Sequence, residues 1–206
     1  MSREDWYRNT EWNSEVAEAY FTKLKRARSK DQYLRIQANY LTSKYPEVAL
    51  ELLDQYFALK EPFDYAQAYC DKAKAYISIG NIQEAIKAYE SALEQEAAGI
   101  GVKTEAYIQL PMLFAEYNLL EHYHRGIELL EKNIERLTFP VDHFRWHAAM
   151  AIFKMNLGNM EEASKQAGLA LEAAQIKKSG FSFHQNLGLV GEDYADLVRK
   201  LREICA

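Results

Sequence analysis

The sequence predicts an all-α fold of about four helix pairs with one further helix at each end. Three observations carry this. Apolar side chains recur at three- and four-residue spacing through most of the chain, the period of one helix face. A small residue opens what reads as the second helix of each pair, at Ala49, Ala85, Gly126 and Ala163, spaced by 36, 41 and 37 residues. The dipeptide Gly-Asn stands twice between apolar helical runs, at Gly80-Asn81 and Gly158-Asn159. A helix crossing close to its partner needs a small side chain at the crossing, and alanine also has the highest helix propensity. Gly126 departs from alanine and is expected to weaken the third pair.

Residues 1–30 read as an N-terminal capping segment. Within it Glu15 to Arg28 is amphipathic, and Trp6, Tyr7 and Trp12 are candidates to fold back onto that helix, with no periodicity to fix where. Residues 31–176 hold the helix pairs. The first pair, Tyr33 to Leu59, has its apolar ridge in Leu34, Ala38, Leu41, Val48, Leu52, Leu53 and Phe57, with a turn at Ser43–Pro46 that suits a helix beginning at proline. In the second pair Gly80 stands where a helix ends in a left-handed residue, and Asn81 is placed to cap the next helix. The third runs from about Ile108 to Leu137, with Leu110, Leu113, Phe114, Tyr117 and Leu120 on one inward face and Ile127, Leu130 and Ile134 on the next. Pro111 should kink its first helix or mark that helix's start, because proline lacks the backbone donor. The fourth pair turns at Leu157-Gly158-Asn159 and closes on Ala163, Ala167, Ala170 and Leu171. Residues 177–206 comprise a loop to Gly191, without helical period, and a capping helix over Glu192 to Ile204 that turns Tyr194, Leu197, Val198 and Leu201 inward. The whole is read as one domain.

Composition narrows the function classes. The net charge of −5 arises from 25 basic and 30 acidic residues mixed along the chain, which gives no general pull toward nucleic acid. The densest basic run, Lys23, Lys25, Arg26, Arg28 and Lys30, lies near a helix C-terminus, where cations complement the helix dipole. Two cysteines, Cys70 and Cys205, lie far apart and outside any C-x-x-C spacing, which argues against a disulfide framework or a zinc knuckle. No run approaches the ~18 apolar residues of a membrane span. The charged, tryptophan-bearing start does not suit a signal peptide, so a cytoplasmic protein is expected.

Candidate chemistry is sparse. His143 and His147 are four apart and share a helix face beside Asp142, while His122 and His124 flank a turn; two ligands are too few for zinc, and no metal or cofactor is expected. Gly99 to Gly101 lacks the preceding strand and third glycine of a phosphate loop and reads as a linker. Lys74, one helical turn from Cys70, would favour a thiolate there; burial as a small hydrophobe is the preferred account. No catalytic residue is expected.

The segment from Tyr69 to Leu93, YCDKAKAYISIGNIQEAIKAYESAL, carries a family resemblance. Tyr69, Ala73, Tyr76, Ala85 and Tyr89 reproduce the spacing of the tetratricopeptide pattern, with Tyr69 in its Trp slot, Lys72 in its Leu slot and Ala97 in its Pro slot. The chain therefore resembles a tetratricopeptide repeat (TPR) protein, and WYRNTEW and QYLRIQANYL are similar to segments of small bacterial members of that family. The resemblance implies a right-handed superhelix (α-solenoid) and a non-enzymatic adaptor or scaffold that binds a protein or peptide in a concave groove. Transferred position by position, it gives a polar end at Arg35, Asn39, Gln67, Asp71 and Lys74, and a mostly apolar end at Met112, Leu119, Ile152 and Met155 with Arg145 beside them. A chaperone-tail clamp is excluded, because Asp71, Ile108 and Met112 occupy slots that must hold a carboxylate. Competing readings are a self-associating structural protein, hence a homo-oligomer, and a metal- or thiol-dependent enzyme built on the histidines or Cys70.

Overall fold

The computed structural model describes residues 5–99 and 101–206; the first four residues of the expected capping segment and Ile100 of the expected Gly99–Gly101 loop lie outside them. Among the described residues there are ten α-helices and no strand. The helices are α1 (Ser14–Arg26), α2 (Lys30–Leu41), α3 (Pro46–Ala58), α4 (Tyr65–Ser78), α5 (Ile82–Ala97), α6 (Ala106–Glu116), α7 (Tyr123–Lys132), α8 (Pro140–Asn156), α9 (Met160–Ala174) and α10 (Ala195–Cys205). The four pairs and the two flanking helices are thus present, and within each unit the helix packing is compatible with a helical solenoid. Two compact units divide the chain, 1–106 and 107–206.

In the first unit the expected ridge forms the core. Leu34, Ala38 and Leu41 of α2 meet Ala49, Leu52, Leu53 and Tyr56 of α3, together with Tyr20 and Leu24 of α1. Burying each such leucine stabilises by about 1.5–3 kcal/mol. Pro46 is the first residue of α3, where a missing donor costs nothing. The aromatic N-terminal segment lands on α1 and α2. Trp6 lies 4.9 Å from the Tyr33 ring and 5.5 Å from Tyr20, and Trp12 is 5.5 Å from Tyr20. A buried amide fixes that landing: Gln37 donates to the Asn9 carbonyl at 2.8 Å and accepts from the Asn9 backbone N–H at 3.0 Å.

The Gly-Asn turns have one mechanism. After α4, Gly80 takes φ +76°, Asn81 N–H donates to the Tyr76 carbonyl at 2.9 Å, and the Asn81 side chain accepts from Glu84 N–H. After α8, Gly158 at φ +82° and Asn159 repeat this with Lys154 and Glu162. The last carbonyls of one helix and a first-turn amide of the next are satisfied together.

The second unit departs from expectation at α6. That helix starts at Ala106 and runs through Pro111, so proline does not mark its start, and it stops at Glu116. Asn118 adopts φ +51° and Leu119 N–H returns to the Phe114 carbonyl at 3.0 Å. Tyr117 and Leu120, expected on the inward face, therefore lie beyond the helix and are 41% and 56% exposed. Ile134 sits in a short 3-10 turn after α7 and is half exposed for the same reason. The missing side chain at Gly126 admits Phe153. A Cβ at Gly126 would stand 2.7 Å from the Phe153 ring and 3.3 Å from Phe114, both fully buried. The indole N–H of Trp146 donates to the Leu130 carbonyl at 2.9 Å and joins α8 to α7.

Candidate functional site

Of the ten residues singled out from the sequence, five lie in the first unit, and the structure brings four of them together. Helix α4 turns Gln67, Asp71 and Lys74 to one face at three- and four-residue spacing, and α2 supplies Arg35. Asp71 is fully buried and accepts from Arg35 Nη1 at 3.4 Å, Lys74 Nζ at 3.4 Å and Gln67 Nε2 at 3.2 Å. Arg35 Nε also donates to Asp64, at the head of α4, at 3.3 Å. Burial pushes the Asp71 carboxyl above the ordinary carboxylate range, while Lys74, Arg35 and Gln67 pull it back. Asn39 lies one helical turn beyond Arg35 on α2 and is partly exposed. The polar face is thus a charge network closed on a buried acid, with Lys74 and Asn39 keeping partial access to solvent.

The other five lie in the second unit. Met112, Leu119 and Met155 are partly exposed, whereas Ile152 is only 2% exposed. Met112 and Ile152 belong to one cleft of about 420 Å³, in which Tyr194 and Leu197 of the C-terminal segment join them. The capping helix therefore supplies part of the apolar surface that the sequence assigns to α6 and α8, and Tyr194 also packs edge-on against Phe144 at 5.1 Å. Leu119 and Met155 are not among the residues lining that cleft. Arg145 is buried and donates to Asp142 Oδ1 at 2.7 Å. The other oxygen of Asp142 accepts from the backbone N–H groups of Thr138 and Phe139, capping the start of α8. Sequence reasoning missed Tyr194 and Leu197 as cleft residues, since helical spacing shows which side of α10 is apolar but not which helix it covers.

The remaining candidates have structural surroundings. Cys70 is buried and its thiol donates to Thr104 Oγ1 at 3.4 Å; that hydroxyl in turn donates to Glu96 at 2.6 Å. Burial raises the Cys70 thiol to about 12, opposed by the Thr104 hydrogen bond and then by Lys74, so the thiolate is suppressed. Cys205 is exposed. A soluble maleimide should therefore modify Cys205 and spare Cys70 in the native protein. Two labels per chain before denaturation, read by intact mass, would contradict this burial. His147 Nδ1 lies 2.6 Å from Gln166 Oε1, and burial lowers the ring's proton affinity. Among the described residues no three ligating side chains come together as a metal site would require, and no helix is long and apolar enough to cross a membrane.

Paired helices joined by short capped turns define the class, a helical-repeat protein. More narrowly, the chain belongs to the family of 26S proteasome subunit RPN7, whose model matches residues 61–171, more than half of its length. The tetratricopeptide resemblance carries over at the coarser level of helical repeats. No curated protein and no solved structure gives a significant match to this chain.

Proposed function

We propose that this protein is a non-enzymatic scaffold whose helix pairs, of the tetratricopeptide type, hold a protein or peptide partner. Membership of a family described as a 26S proteasome subunit carries the reading, because a subunit acts through the surfaces it offers to its neighbours. The geometry supports two contact faces, one on each unit. The α2/α4 face offers Asn39, Gln67 and Lys74 as donors around the charge pair of Arg35 and Asp71. The second unit offers Met112 and Ile152 as an apolar floor, with Leu119 and Met155 as further partly exposed apolar contacts outside that cleft and Arg145 bound to Asp142. Apolar anchors with a few placed polar groups suit capture of a helical or extended segment. A cytoplasmic location, which gives access to such partners, belongs to the same reading, as does the absence of nucleic-acid, membrane and cofactor binding.

The test is native affinity purification of the tagged full chain beside Asn39→Ala and Met112→Glu variants of equal helicity. Loss of one face's contacts should cut recovery of a co-purifying protein by about tenfold, the equivalent of 1.4 kcal/mol. Undiminished recovery by both variants would remove the binding role from both faces.

A further inference from the structure

The second unit carries a knob and a socket that do not meet within one molecule. The knob is the loop between α9 and α10, which the sequence presents as irregular and the structure shows to be closed on itself. Ser179 N–H donates to the Gln185 carbonyl at 2.7 Å, and its hydroxyl donates to the His184 carbonyl at 2.7 Å. At its far end the Gly188 carbonyl accepts from Val141 N–H of α8 at 2.9 Å, and the Phe181 ring rests 5.4 Å from Phe139. On this frame Phe183 is 96% exposed and Leu187 50%. Leaving such a phenylalanine in water forfeits the stabilisation that its burial would bring. Because the loop is already ordered, docking it carries little further entropic penalty.

The socket is the cleft of about 420 Å³, floored by Met112, Ala115, Ile152 and Leu197. That is room for an aromatic side chain. Its edge holds Glu116, Asp193 and Asp196 against Lys200. Asp196 is bridged by Arg199 at 2.8 Å, and the edge stays acidic with that arginine counted. The loop has the opposite character: from Lys177 to Gly191 it contains two lysines and no acid. Phe183, at its exposure, is outside its own chain's cleft.

We propose that the occupant of this cleft is a second copy of the chain, with Phe183 of one molecule seated on the Met112–Ile152 floor of the next and Lys177 and Lys178 against the acidic edge. The proposal rests on the reading of Met112 and Ile152 as a binding floor. Each copy uses one knob and one socket, so two copies can close as a reciprocal pair, and otherwise the contact runs head-to-tail into a ring or a filament.

Sedimentation of the full chain tests it. The mass should rise above 23.8 kDa with concentration, and less so at high salt. Phe183→Ser and Met112→Glu should each abolish the rise with helicity unchanged. Mixed in equal amounts, the two should form a complex that stops at the dimer, since the first retains its cleft and the second its phenylalanine. Wild type monomeric throughout, association that persists in Phe183→Ser, or a mixture that stays monomeric would each overturn the proposal. If the wild type is monomeric while Met112→Glu still loses its co-purifying protein, self-docking fails and the scaffold reading stands.

Discussion

Arg35→Ala is expected to destabilise the first unit by about 3 kcal/mol at neutral pH, at the lower end of the range for breaking a buried ion pair. Asp71 is fully buried, and without Arg35 the carboxylate is left to Gln67 and to Lys74, whose side chain is 37% exposed. Burial already raises this carboxyl above its ordinary value, and removing a cation raises it further. A carboxyl whose folded value lies above its unfolded one contributes stability that is full below the unfolded value and is lost as pH rises through the folded one. The gap between variant and wild type should therefore widen from acid toward neutral pH. Denaturant-dependent amide exchange across α4 measures it. Repeating Arg35→Ala in an Asp71→Asn background should reduce its effect to under about 1 kcal/mol, because the buried charge is gone. An equal effect in both backgrounds would assign Arg35's contribution to its pair with Asp64 or to packing of its stem.

That network also shows how far the sequence could be read. The tetratricopeptide resemblance implies that Arg35, Gln67, Asp71 and Lys74 share one face, so their grouping was legible. Their mutual engagement was not, because helical spacing places residues on a face without stating how deeply it is buried. The turns show a related limit. Gly80 and Gly158 announce themselves because glycine occupies the left-handed position without strain, whereas Asn118 makes the same return, Leu119 N–H to the Phe114 carbonyl, without that label. Reading Tyr117-Asn118-Leu119 as a third turn of this kind would have ended α6 at the right place and removed Tyr117 and Leu120 from the expected core. The Asn9–Gln37 amide pair and the meeting of Met112 and Ile152 with Tyr194 and Leu197 in one cleft join parts of the chain with no shared period, and no pattern in the sequence encodes them.

Gly126→Val is expected to destabilise the second unit by about 3 kcal/mol, the upper end of the usual range for overpacking. At this site the sequence pattern misleads, since a small residue at a helix crossing reads as a position for alanine. Even a Cβ would lie 2.7 and 2.8 Å from two atoms of the Phe153 ring. That ring has little room to withdraw: it is fully buried and packs on the Tyr123 ring at 4.4 Å. Alanine at 126 brings two opposing effects, a clash of about 1–3 kcal/mol and a gain of about 1 kcal/mol in helix propensity over glycine. In the wild-type background the clash should win. Phe153→Leu shortens the opposing side chain and should free the space, so Gly126→Ala becomes neutral or stabilising there while remaining destabilising beside phenylalanine. Urea denaturation of the four proteins of this cycle, with amide exchange in α7 as the local readout, gives the sign in each background. The same sign in both would mean that glycine is required for some reason other than the approach of Phe153.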